Sequence, residues 1–542
     1  MDKLVECVPN FSEGKDKTII EAIANAIRKT NGCTLLDVDS GISTNRTVYT
    51  FVGDPESIIQ GALNSAKAAY DLIDMTKHKG EHPRMGALDV CPFVPIANIS
   101  MDECVEISKK FAELLAKELN VPIYLYEYAA TQDYRRKLSD IRKGEYEGFK
   151  EKILKPEWKP DYGPQQFIPK WGVTATGARN FLIAYNVNIF GTHNQAHRIA
   201  LDLREAGRGP DQPGLLKEVK AMGWWVEEYN TAQITANLTN YHITPPHIFY
   251  EECKRKAKEL NIGVGGSEIV GLVPLDAILK AAEYYIEKEN LFIIDERQKV
   301  KLVIDRLGLS SVQFFDPNKK IIDYMIKKEE NLPLANLKTK DFIKEIAART
   351  SAPGGGSASA LIAAVGVGLG CMVARLTQGV RKFESVEDKM RKIIPTLYEV
   401  TNKLIPMIDA DTNAFNDYME AMRLPKNTAE EKKIRSEKMQ EGLKKAIEVP
   451  LTTMKLANSA WDAMVECAKY GNIASKSDIE VGAKSLETGI WGAYKNVLIN
   501  LPGIKDEEFK QLKIKESQDI VKNAKIKCDE ILKILEERDI SN

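Results

Sequence analysis

Strand-like and helix-like patterns alternate through the first half of the chain in an order that few folds can accommodate. Short apolar runs of period two are interleaved with amphipathic stretches of period 3.6. The first set reads β-α-β-β-α-β, with strands at residues 3–9, 34–39, 46–52 and 89–96 and helices at 17–28 and 56–72. This order predicts an antiparallel sheet with both helices on one face, the ferredoxin-like arrangement.

The same order then recurs, with strands at residues 181–189, 224–229, 232–238 and 263–273 and helices at 195–205 and 246–260. Residue identity between the two copies is weak, so only the architecture repeats. We predict two packed ferredoxin-like α/β subdomains, residues 1–180 and 181–328, with a crevice between them. The first also contains a helix near 101–119 and a strand near 122–126.

Strand signals fade after the second copy, and the chain of 542 residues is too long for one core. Residues 329–340 have the composition of a linker. Long amphipathic patterns follow at residues 341–349, 357–379, 386–422, 428–469, 481–501 and 507–537. We predict that residues 341–542 form an all-α helical bundle, which makes the chain multidomain.

Composition narrows the class of partner. Charged residues make up 28% of the chain and the formal net charge is −1, which favours neither nucleic acid nor an anionic membrane. The eight cysteines are scattered without a Cys-x-x-Cys pair, which is typical of free thiols in a reducing compartment. The N-terminus has no signal-like segment. We therefore expect a cytoplasmic enzyme that acts on small molecules.

One apolar run, residues 358–374, needs a separate interpretation. It is slightly shorter than the about 20 residues of a membrane-spanning helix. Its glycines Gly366, Gly368 and Gly370 favour close packing between helices. We expect a buried core helix and no membrane contact.

Proton-handling side chains are concentrated in the loop His78-Lys79-Gly80-Glu81-His82-Pro83-Arg84. The pattern His-x-x-Glu-His binds zinc when a helix puts both histidines on one face. Gly80 and Pro83 oppose a helix here, so we predict no metal site. The remaining interpretations are a catalytic histidine and a loop histidine that only caps a neighbouring group.

Residues 155–179 are rich in proline, glycine and aromatic residues. Rigid prolines and flat rings are suited to stacking on a heteroaromatic ligand. The alternative is a strap between subdomains whose aromatic rings simply pack. The sequence leaves both interpretations open.

Two motifs stand out in the helical part. Pro353-Gly354-Gly355-Gly356-Ser357 opens the apolar helix, either as a glycine turn with Ser357 as N-cap or as a helix N-terminus that faces a ligand carboxylate. Asp409 and Asp411 lie in another helix, where residues two apart point to different faces. Only one can look inward, and an inward carboxyl would have a raised pKa suited to acid catalysis.

These motifs together resemble a known pair of enzymes. Residues 78–90, the segment Gly163–Gly172 with Gly177-Ala178-Arg179-Asn180, and Gln195-Ala196-His197-Arg198-Ile199-Ala200 resemble glutamate formimidoyltransferase. The helical part, with residues 353–357, Asp409-x-Asp411-x-x-Ala414-Phe415 and Gly471-Asn472-x-x-Ser475-x-Ser477-Asp478, resembles formimidoyltetrahydrofolate cyclodeaminase. In this order they resemble the bifunctional family over essentially the whole chain.

The resemblance implies two steps of histidine degradation that feed one-carbon metabolism. N-formimidoyl-L-glutamate gives its formimidoyl group to N5 of tetrahydrofolate, used in polyglutamylated form, and the adduct then cyclises to 5,10-methenyltetrahydrofolate and ammonia. The family makes His82 the catalytic residue of the transferase and Asp411 that of the cyclodeaminase. It implies a homo-oligomer, such as an octamer of paired domains. It places folate on Gly163, Pro164, Gln165, Gln166, Phe167, Ile168, Pro169, Lys170, Trp171 and Gly172.

Further residues are candidates by their closeness to these motifs. Arg46, Arg84 and Arg179 are cations for the donor's carboxylates, and Asp39 at a strand end is a carboxylate that orients His82. In the helical part the candidate supporting residues are Gly355, Ser357, Asp409 and Asp478.

Two rival functions remain open at this point. The helical part could be a methenyltetrahydrofolate cyclohydrolase, because both reactions act on the same carbon. The chain could also be a folate-binding scaffold with one inactive domain, although the presence of both His82 and Asp411 argues against this.

Overall fold

The computed structural model describes residues 3–42, 44–326 and 332–540. They belong to two compact units, Met1–Lys327 and Lys328–Asn542. The first unit mixes strands and helices, and the described part of the second is helical throughout. The predicted class, an α/β part followed by a helical part, is confirmed. The predicted boundary at residue 328 and the start of the linker at 329–331 lie outside the described residues.

The strands of the first unit form two sheets. Their bounds are β1 (Leu4–Cys7), β2 (Asn10–Phe11), β3 (Cys33–Gly41), β4 (Arg46–Gly53), β5 (Leu88–Ala97), β6 (Ile123–Glu127), β7 (Thr174–Ala178), β8 (Ile183–Ile189), β9 (Val219–Val226), β10 (Thr231–Leu238) and β11 (Val264–Val270).

The helices of the first unit are α1 (Lys17–Arg28), α2 (Pro55–Leu72), α3 (Met101–Leu119), α4 (Leu138–Arg142), α5 (Glu145–Lys152), α6 (His193–Leu203), α7 (Pro246–Glu259), α8 (Leu275–Lys288), α9 (Glu296–Leu307), α10 (Pro317–Lys320) and α11 (Ile322–Ile326). Those of the second are α12 (Thr339–Ile346), α13 (Gly355–Thr377), α14 (Glu387–Leu404), α15 (Met407–Arg423), α16 (Ala429–Asn458), α17 (Trp461–Tyr470), α18 (Lys476–Asn500) and α19 (Glu507–Ile540).

The seven-stranded sheet has one face covered by helices. Strands β1 and β2 both lie between β4 and β5, β3 pairs with β4, and β7 and β6 extend the sheet in parallel beyond β5. Val5, Tyr49 and Phe51 point into a core with residues of α1, α2 and α3. Because side chains alternate along a strand, Glu6 and Arg46 lie on the opposite face, where Ile141 of α4 and Phe149 of α5 pack against Tyr124 and Tyr126.

The four-stranded sheet has the order β11-β8-β10-β9, and every neighbouring pair is antiparallel. Tyr185, Val187 and Ile234 form a core with Ile199 of α6 and Phe249 of α7. Strand β9 begins at Val219, five residues before the predicted start at 224. Its alternating buried and exposed residues pair in register with the whole of β10, which extends the strand.

Helix α13 is the core of the helical unit and packs closely against α18. A Cβ atom on Gly366 would lie 2.6 Å from the Leu486 backbone nitrogen, and one on Gly489 would lie 2.7 Å from that of Ala363. Among the described residues, α13 alone is long and apolar enough to cross a membrane, but 61% of its most apolar window is buried inside the protein. This burial agrees with the predicted core helix.

Two helices predicted as continuous are each divided. The pattern at 386–422 forms α14 and α15, which are separated at Pro406, where the ring removes a backbone donor. The pattern at 428–469 forms α16 and α17, and the turn at Ser459 and Ala460 brings Trp461 into the core with 1% of its surface exposed. Apolar periodicity continues across both breaks, so it could not reveal them.

The glycines of α13 give a matched stability test. We expect Gly366→Ala to destabilise the helical unit by about 1–3 kcal/mol, because the new Cβ meets backbone atoms that have no room to move. Gly368→Ala is the control, since its Cβ has no neighbour closer than 3.9 Å. It should be neutral or stabilising by up to about 1 kcal/mol through helix propensity. Urea titration of helical circular dichroism measures both, and equal midpoints would contradict the close packing.

Candidate active sites

His82 lies half-buried in the loop between α2 and β5, directly beside Arg46 at the start of β4. Arg46 Nη1 is 2.9 Å from Nδ1 and 3.2 Å from Nε2 of the imidazole. The Pro83 carbonyl oxygen is 2.6 Å from Nδ1. A carbonyl only accepts and a guanidinium only donates. In the neutral tautomer with hydrogen on Nδ1, Nδ1 donates to the Pro83 carbonyl and the basic lone pair on Nε2 accepts from Arg46.

Asp89 is the carboxylate that holds this arrangement together. It is 1% exposed, and its Oδ2 is 3.2 Å from Arg46 Nη1 and 2.5 Å from Arg142 Nη2. Its Oδ1 accepts a hydrogen bond of 3.0 Å from the Met85 backbone, three residues after His82. Asp89 is the extra residue of a β-bulge, since Asn10 pairs with Val90 but Phe11 pairs with Leu88. Bulges re-aim side chains in this way.

Burial and positive charge keep the His82 imidazole neutral. Burial is the largest influence, and the Arg46 and Arg142 guanidiniums add to it, so that the pKa of His82 falls to about 4. Burial also lowers the pKa of Arg46, to about 10, against the attraction of Asp89. At neutral pH the site therefore holds an uncharged imidazole and two guanidiniums around one carboxylate.

The other predicted supporting residues of this site make no hydrogen bond to His82 in the described part of the chain. Asp39 is exposed on β3, and the buried carboxylate next to Arg46 is that of Asp89. Arg84 is turned to helix α5, where it contacts Glu145 at 3.2 Å and Glu147 at 2.7 Å. Arg179 follows β7, and its Nη1 donates to the Asn180 carbonyl at 2.9 Å.

Sequence reasoning missed four residues on or against the sheet face that carries Arg46: Glu6, Asn10, Asp89 and Arg142. Glu6 is 2% exposed on β1; burial raises the pKa of its carboxyl to about 7, and the charge of Arg179 opposes the rise. A charged residue within an apolar strand was an available signal for Glu6 and Asp89. Asn10 and Arg142 had no such signal, because only the tertiary fold brings them to Arg46 and Asp89.

The segment Gly163–Gly172 is a strap whose two end glycines are fixed by close contacts. Both have φ near +80°, and their Cβ atoms would lie 2.1 Å from the Val121 carbonyl and 2.2 Å from the Met85 carbonyl. Trp171 is 1% exposed and donates from Nε1 to Thr174 Oγ1 at 3.0 Å. Its ring serves packing, as does that of Phe167 against Tyr146. Gln165, Gln166, Pro169 and Lys170 form the exposed surface of the strap.

The strap and the His82 loop lie side by side. The Ala87 backbone donates to the Trp171 carbonyl at 2.7 Å, and the Val173 backbone donates to the Met85 carbonyl at 2.9 Å. The fold thus brings together the two segments that the sequence marked out in the first unit.

In the helical unit, Asp411 lies against the N-terminus of α13. A Cβ on Gly356 would be 2.1 Å from Asp411 Oδ1, so only glycine leaves room for the carboxyl. Burial raises the pKa of Asp411, and a hydrogen bond from the Ser357 backbone opposes the rise. Ser357 is not the N-cap, which is Gly354. It is fully buried, and its Oγ donates to the Ile408 carbonyl at 2.7 Å.

Asp409 is also turned inward, so both aspartates are withdrawn from solvent and not one alone, but its environment differs from that of Asp411. It is 2% exposed, and its two oxygens accept hydrogen bonds from the backbones of Leu334 at 2.8 Å and Ala335 at 2.9 Å. Both oxygens therefore anchor the segment before α12. Of the two aspartates, Asp411 is the one whose carboxyl faces the glycine turn.

Asp478 is not near Asp411 within one chain. A Cβ on Gly355, at the start of α13, would be 3.4 Å from Asn496 Nδ2 near the end of α18. At the other end of α13, Thr377 Oγ1 accepts a hydrogen bond of 2.8 Å from the Asn472 backbone, just before α18. A helix of 23 residues spans about 35 Å. Asp478, in the first turn of α18, is therefore remote from the Asp411 carboxyl.

Comparison with known proteins identifies the family. A formimidoyltransferase-cyclodeaminase of Dictyostelium discoideum is 59% identical over 99% of this chain and 100% of its own length. The chain belongs to the formimidoyltransferase-cyclodeaminase family. Family profiles match as "Formiminotransferase domain, N-terminal subdomain" over residues 4–179, "Formiminotransferase domain" over 184–327 and "Formiminotransferase-cyclodeaminase" over 338–519.

Two shorter relatives resemble parts of this family member. A glutamate formimidoyltransferase of Streptococcus pyogenes serotype M1 is 46% identical and covers 54% of this chain and 95% of its own length. A methenyltetrahydrofolate cyclohydrolase of Methylorubrum extorquens is 35% identical and covers 34% of this chain and 88% of its own length.

The charge environment of His82 can be tested by histidine NMR, because the chain has six histidines. We expect Arg46→Gln to raise the pKa of His82 from about 4 toward its ordinary 6.5, since a neighbouring positive charge is lost. Arg84→Gln is the control: Arg84 lowers the pKa of His78, so this variant should move His78 and leave His82 unchanged. An unshifted His82 in Arg46→Gln would show that the guanidinium does not control the imidazole.

Proposed function

We propose that the chain transfers the formimidoyl group of N-formimidoyl-L-glutamate to N5 of tetrahydrofolate and then cyclodeaminates 5-formimidoyltetrahydrofolate to 5,10-methenyltetrahydrofolate and ammonia. Relatives that match the whole chain carry the name of both activities. The observation that carries the proposal is that each unit holds one proton-handling group suited to its step. His82 is a neutral base in the first unit, and Asp411 is a carboxyl of raised pKa in the second.

In the transfer step, N5 of tetrahydrofolate attacks the amidine carbon and loses a proton, which His82 Nε2 accepts. The C–N bond to glutamate breaks as His82 passes that proton to the glutamate nitrogen. Arg46, next to His82, is the cation placed to pair with a donor carboxylate. That pairing would offset the charge that depresses the pKa of His82 and make the imidazole a stronger base. Arg84 is less suited, because two glutamates already neutralise it.

In the cyclisation step, N10 attacks the same carbon. The departing nitrogen takes one proton from Asp411 and the proton that N10 loses, and it leaves as ammonia. A carboxyl of raised pKa keeps that proton until it is needed. The carboxylate that results lies at the positive N-terminal end of α13, which stabilises it. Neither step calls for a metal ion.

For the cosubstrate, the exposed residues of the strap Gly163–Gly172 are the proposed folate contacts, with Lys170 available for a polyglutamate tail. The cytoplasm is the proposed location. All eight cysteines are free thiols, which supports a reducing compartment.

The first unit is proposed to be two ferredoxin-like subdomains, divided at residue 180, with 329–340 as linker to a helical domain at 341–542. Relabelled within each β-α-β-β-α-β copy, the second sheet has the order 4-1-3-2, and β3, β4, β1 and β5 of the first give 2-3-1-4, which is the same order reversed. These orders support the assignment.

A homo-oligomer, up to the octamer of paired domains, is the proposed assembly. Helix α13 exposes an apolar stripe formed by Ile362, Val365, Met372 and Leu376. A second copy running antiparallel along this stripe would carry its segment 471–478 toward Asp411.

We expect sedimentation equilibrium of the full chain to give a multiple of 60.7 kDa, and Val365→Lys to lower the mass. A monomer from the unaltered chain would contradict the assembly.

The two-step function can be tested with purified chain, N-formimidoyl-L-glutamate and tetrahydrofolate. Glutamate, ammonia and the near-ultraviolet absorbance of methenyltetrahydrofolate are followed together. We expect His82→Ala to lose transfer by about 10²–10⁴-fold while still deaminating supplied 5-formimidoyltetrahydrofolate. Asp411→Asn should release glutamate normally and accumulate 5-formimidoyltetrahydrofolate. Loss of both activities in either folded variant would contradict separate sites.

Asp409→Asn is the control for the choice between the two aspartates. It should lower the stability of the helical unit more than the rate of cyclodeamination, because two backbone donors lose their carboxylate. Accumulation of the intermediate in this variant alone would reverse the assignment of the two aspartates.

The same assay separates the rival functions. The cyclohydrolase rival has support from the 35% identical relative. It predicts that the chain releases no ammonia from supplied 5-formimidoyltetrahydrofolate. A scaffold with one inactive domain predicts that one of the two steps is missing in the unaltered chain.

A further inference from the structure

His78 opens the loop that carries His82, yet the proposed transfer step makes no use of it. Its Nε2 is 2.8 Å from the Asn45 carbonyl oxygen, and its Nδ1 is 3.4 Å from Arg84 Nε. Since the carbonyl must accept and the guanidinium must donate, the neutral tautomer with hydrogen on Nε2 fits both contacts. Burial lowers the pKa of His78 against the hydrogen bond to Asn45, and the charge of Arg84 lowers it further. The side chain is therefore an uncharged link between the loop and Asn45.

Asn45 lies between β3 and β4 and connects two other segments of the chain. Its Oδ1 accepts a hydrogen bond of 2.9 Å from the Gly14 backbone, and its Nδ2 donates to the Lys79 carbonyl at 2.9 Å. The residue is 8% exposed and has a φ of +48°, in the left-handed region that asparagine adopts more readily than most residues. This buried junction requires both an amide and a left-handed backbone.

Close backbone contacts on both sides of Asn45 complete the junction. A Cβ on Gly80 would lie 2.3 Å from the Thr44 carbonyl oxygen, and one on Gly14 would lie 2.5 Å from the Arg46 backbone nitrogen. No side chain fits at either distance, so both loops lie directly against this stretch of chain. The spacing between the loops and the start of β4 is therefore set by backbone contact.

The junction is adjacent in sequence to both members of the Arg46–His82 pair. Arg46 follows Asn45 directly, and His82 follows the glycine of its loop by two residues. Beyond His82, the Met85 backbone donates to Asp89 Oδ1 at 3.0 Å. The loop is thus tied to the sheet on both flanks of the imidazole, which restricts where Nε2 can lie.

We propose that Asn45 and His78 are positioning residues for the transferase, which hold the His82 loop at the start of β4 and so keep the imidazole against Arg46. Both act through the pair that they align, and the proposed mechanism gives neither a contact with substrate. A displacement of about 1 Å between reacting groups costs up to about 10²-fold in rate. The kinetic part of the inference rests on the proposed function, whereas the alignment of His82 does not.

Asn45→Gly in the full chain tests the junction, because glycine keeps the left-handed backbone and removes both side-chain hydrogen bonds. We expect kcat for glutamate release to fall roughly tenfold to hundredfold, with KM for tetrahydrofolate within about threefold. Histidine NMR should show the pKa of His82 rising from about 4 toward its ordinary 6.5, since the imidazole moves away from the guanidinium. The acid limb of the kcat/KM profile should move to higher pH with it, because transfer requires the neutral imidazole.

Asn120→Gly is the matched control, since it makes the same substitution at another left-handed asparagine of the first unit. Asn120 has a φ of +52° and is exposed at the end of α3. This variant should leave kcat, KM and the pKa of His82 unchanged. Deamination of supplied 5-formimidoyltetrahydrofolate should be the same in both variants, because that step belongs to the helical unit.

A pair of variants at His78 gives an independent test. His78→Leu removes the donor to the Asn45 carbonyl and should shift kcat and the pKa of His82 in the same directions as Asn45→Gly. His78→Gln should restore both toward the values of the unaltered chain, because its amide nitrogen can donate from about the position of Nε2. This pair decides the question alone if Asn45→Gly does not fold.

Two results would overturn the inference. One is an unmoved pKa of His82 in folded Asn45→Gly or His78→Leu, whatever the rate, which would leave these residues a purely structural role. The other is a His78→Gln variant as impaired as His78→Leu. If the unaltered chain releases no glutamate, the proposed function fails, and the NMR measurement still tests the alignment of His82.

Discussion

The ion-pair cluster at Asp89 is the constraint on which the first active site depends. One buried carboxylate connects β4 through Arg46, α4 through Arg142 and the His82 loop through the Met85 backbone. Removing one partner of a buried pair leaves an uncompensated charge, which is far more costly than the net value of the pair. The three elements are therefore held in one arrangement, and the imidazole of His82 lies within it.

In the helical unit, one carboxylate anchors the backbone and a second is available for chemistry. Asp409 uses both oxygens to hold the backbone at Leu334 and Ala335. Asp411 lies two residues later, and Gly356 leaves it the space that any side chain would fill. Since residues two apart on a helix face different directions, anchoring and chemistry can belong to neighbouring positions without competition. The carboxyl of Asp411 therefore requires the glycine turn.

Sequence periodicity predicted the strands and helices of the first unit well, because burial of one face imposes period two or 3.6 locally. It failed where the cause was not periodic, as at Pro406, where a helix ends although its apolar pattern continues. At the site, motif residues such as His82 were recognisable along the chain. Arg142 was not, because it reaches Asp89 from 53 positions away and only the fold makes them neighbours. Asp39 was chosen for its strand end, whereas Asp89, which a β-bulge presents to Arg46, was not recognised.

The aromatic residues of the strap show the same limit. A tryptophan in a proline-rich loop is equally suited to a ligand and to a core, and Trp171 proves to be 1% exposed.

Burial accounts for the opposite roles of the two catalytic candidates. Desolvation penalises whichever form is charged, which is the protonated form of an imidazole and the deprotonated form of a carboxyl. It therefore lowers the pKa of His82 and raises that of Asp411, and it is the largest influence on both. The same physical effect yields a base in the unit where a proton must be removed and an acid in the unit where one must be supplied. Neighbouring groups then adjust each: two guanidiniums deepen the shift of His82, and one backbone N–H moderates that of Asp411.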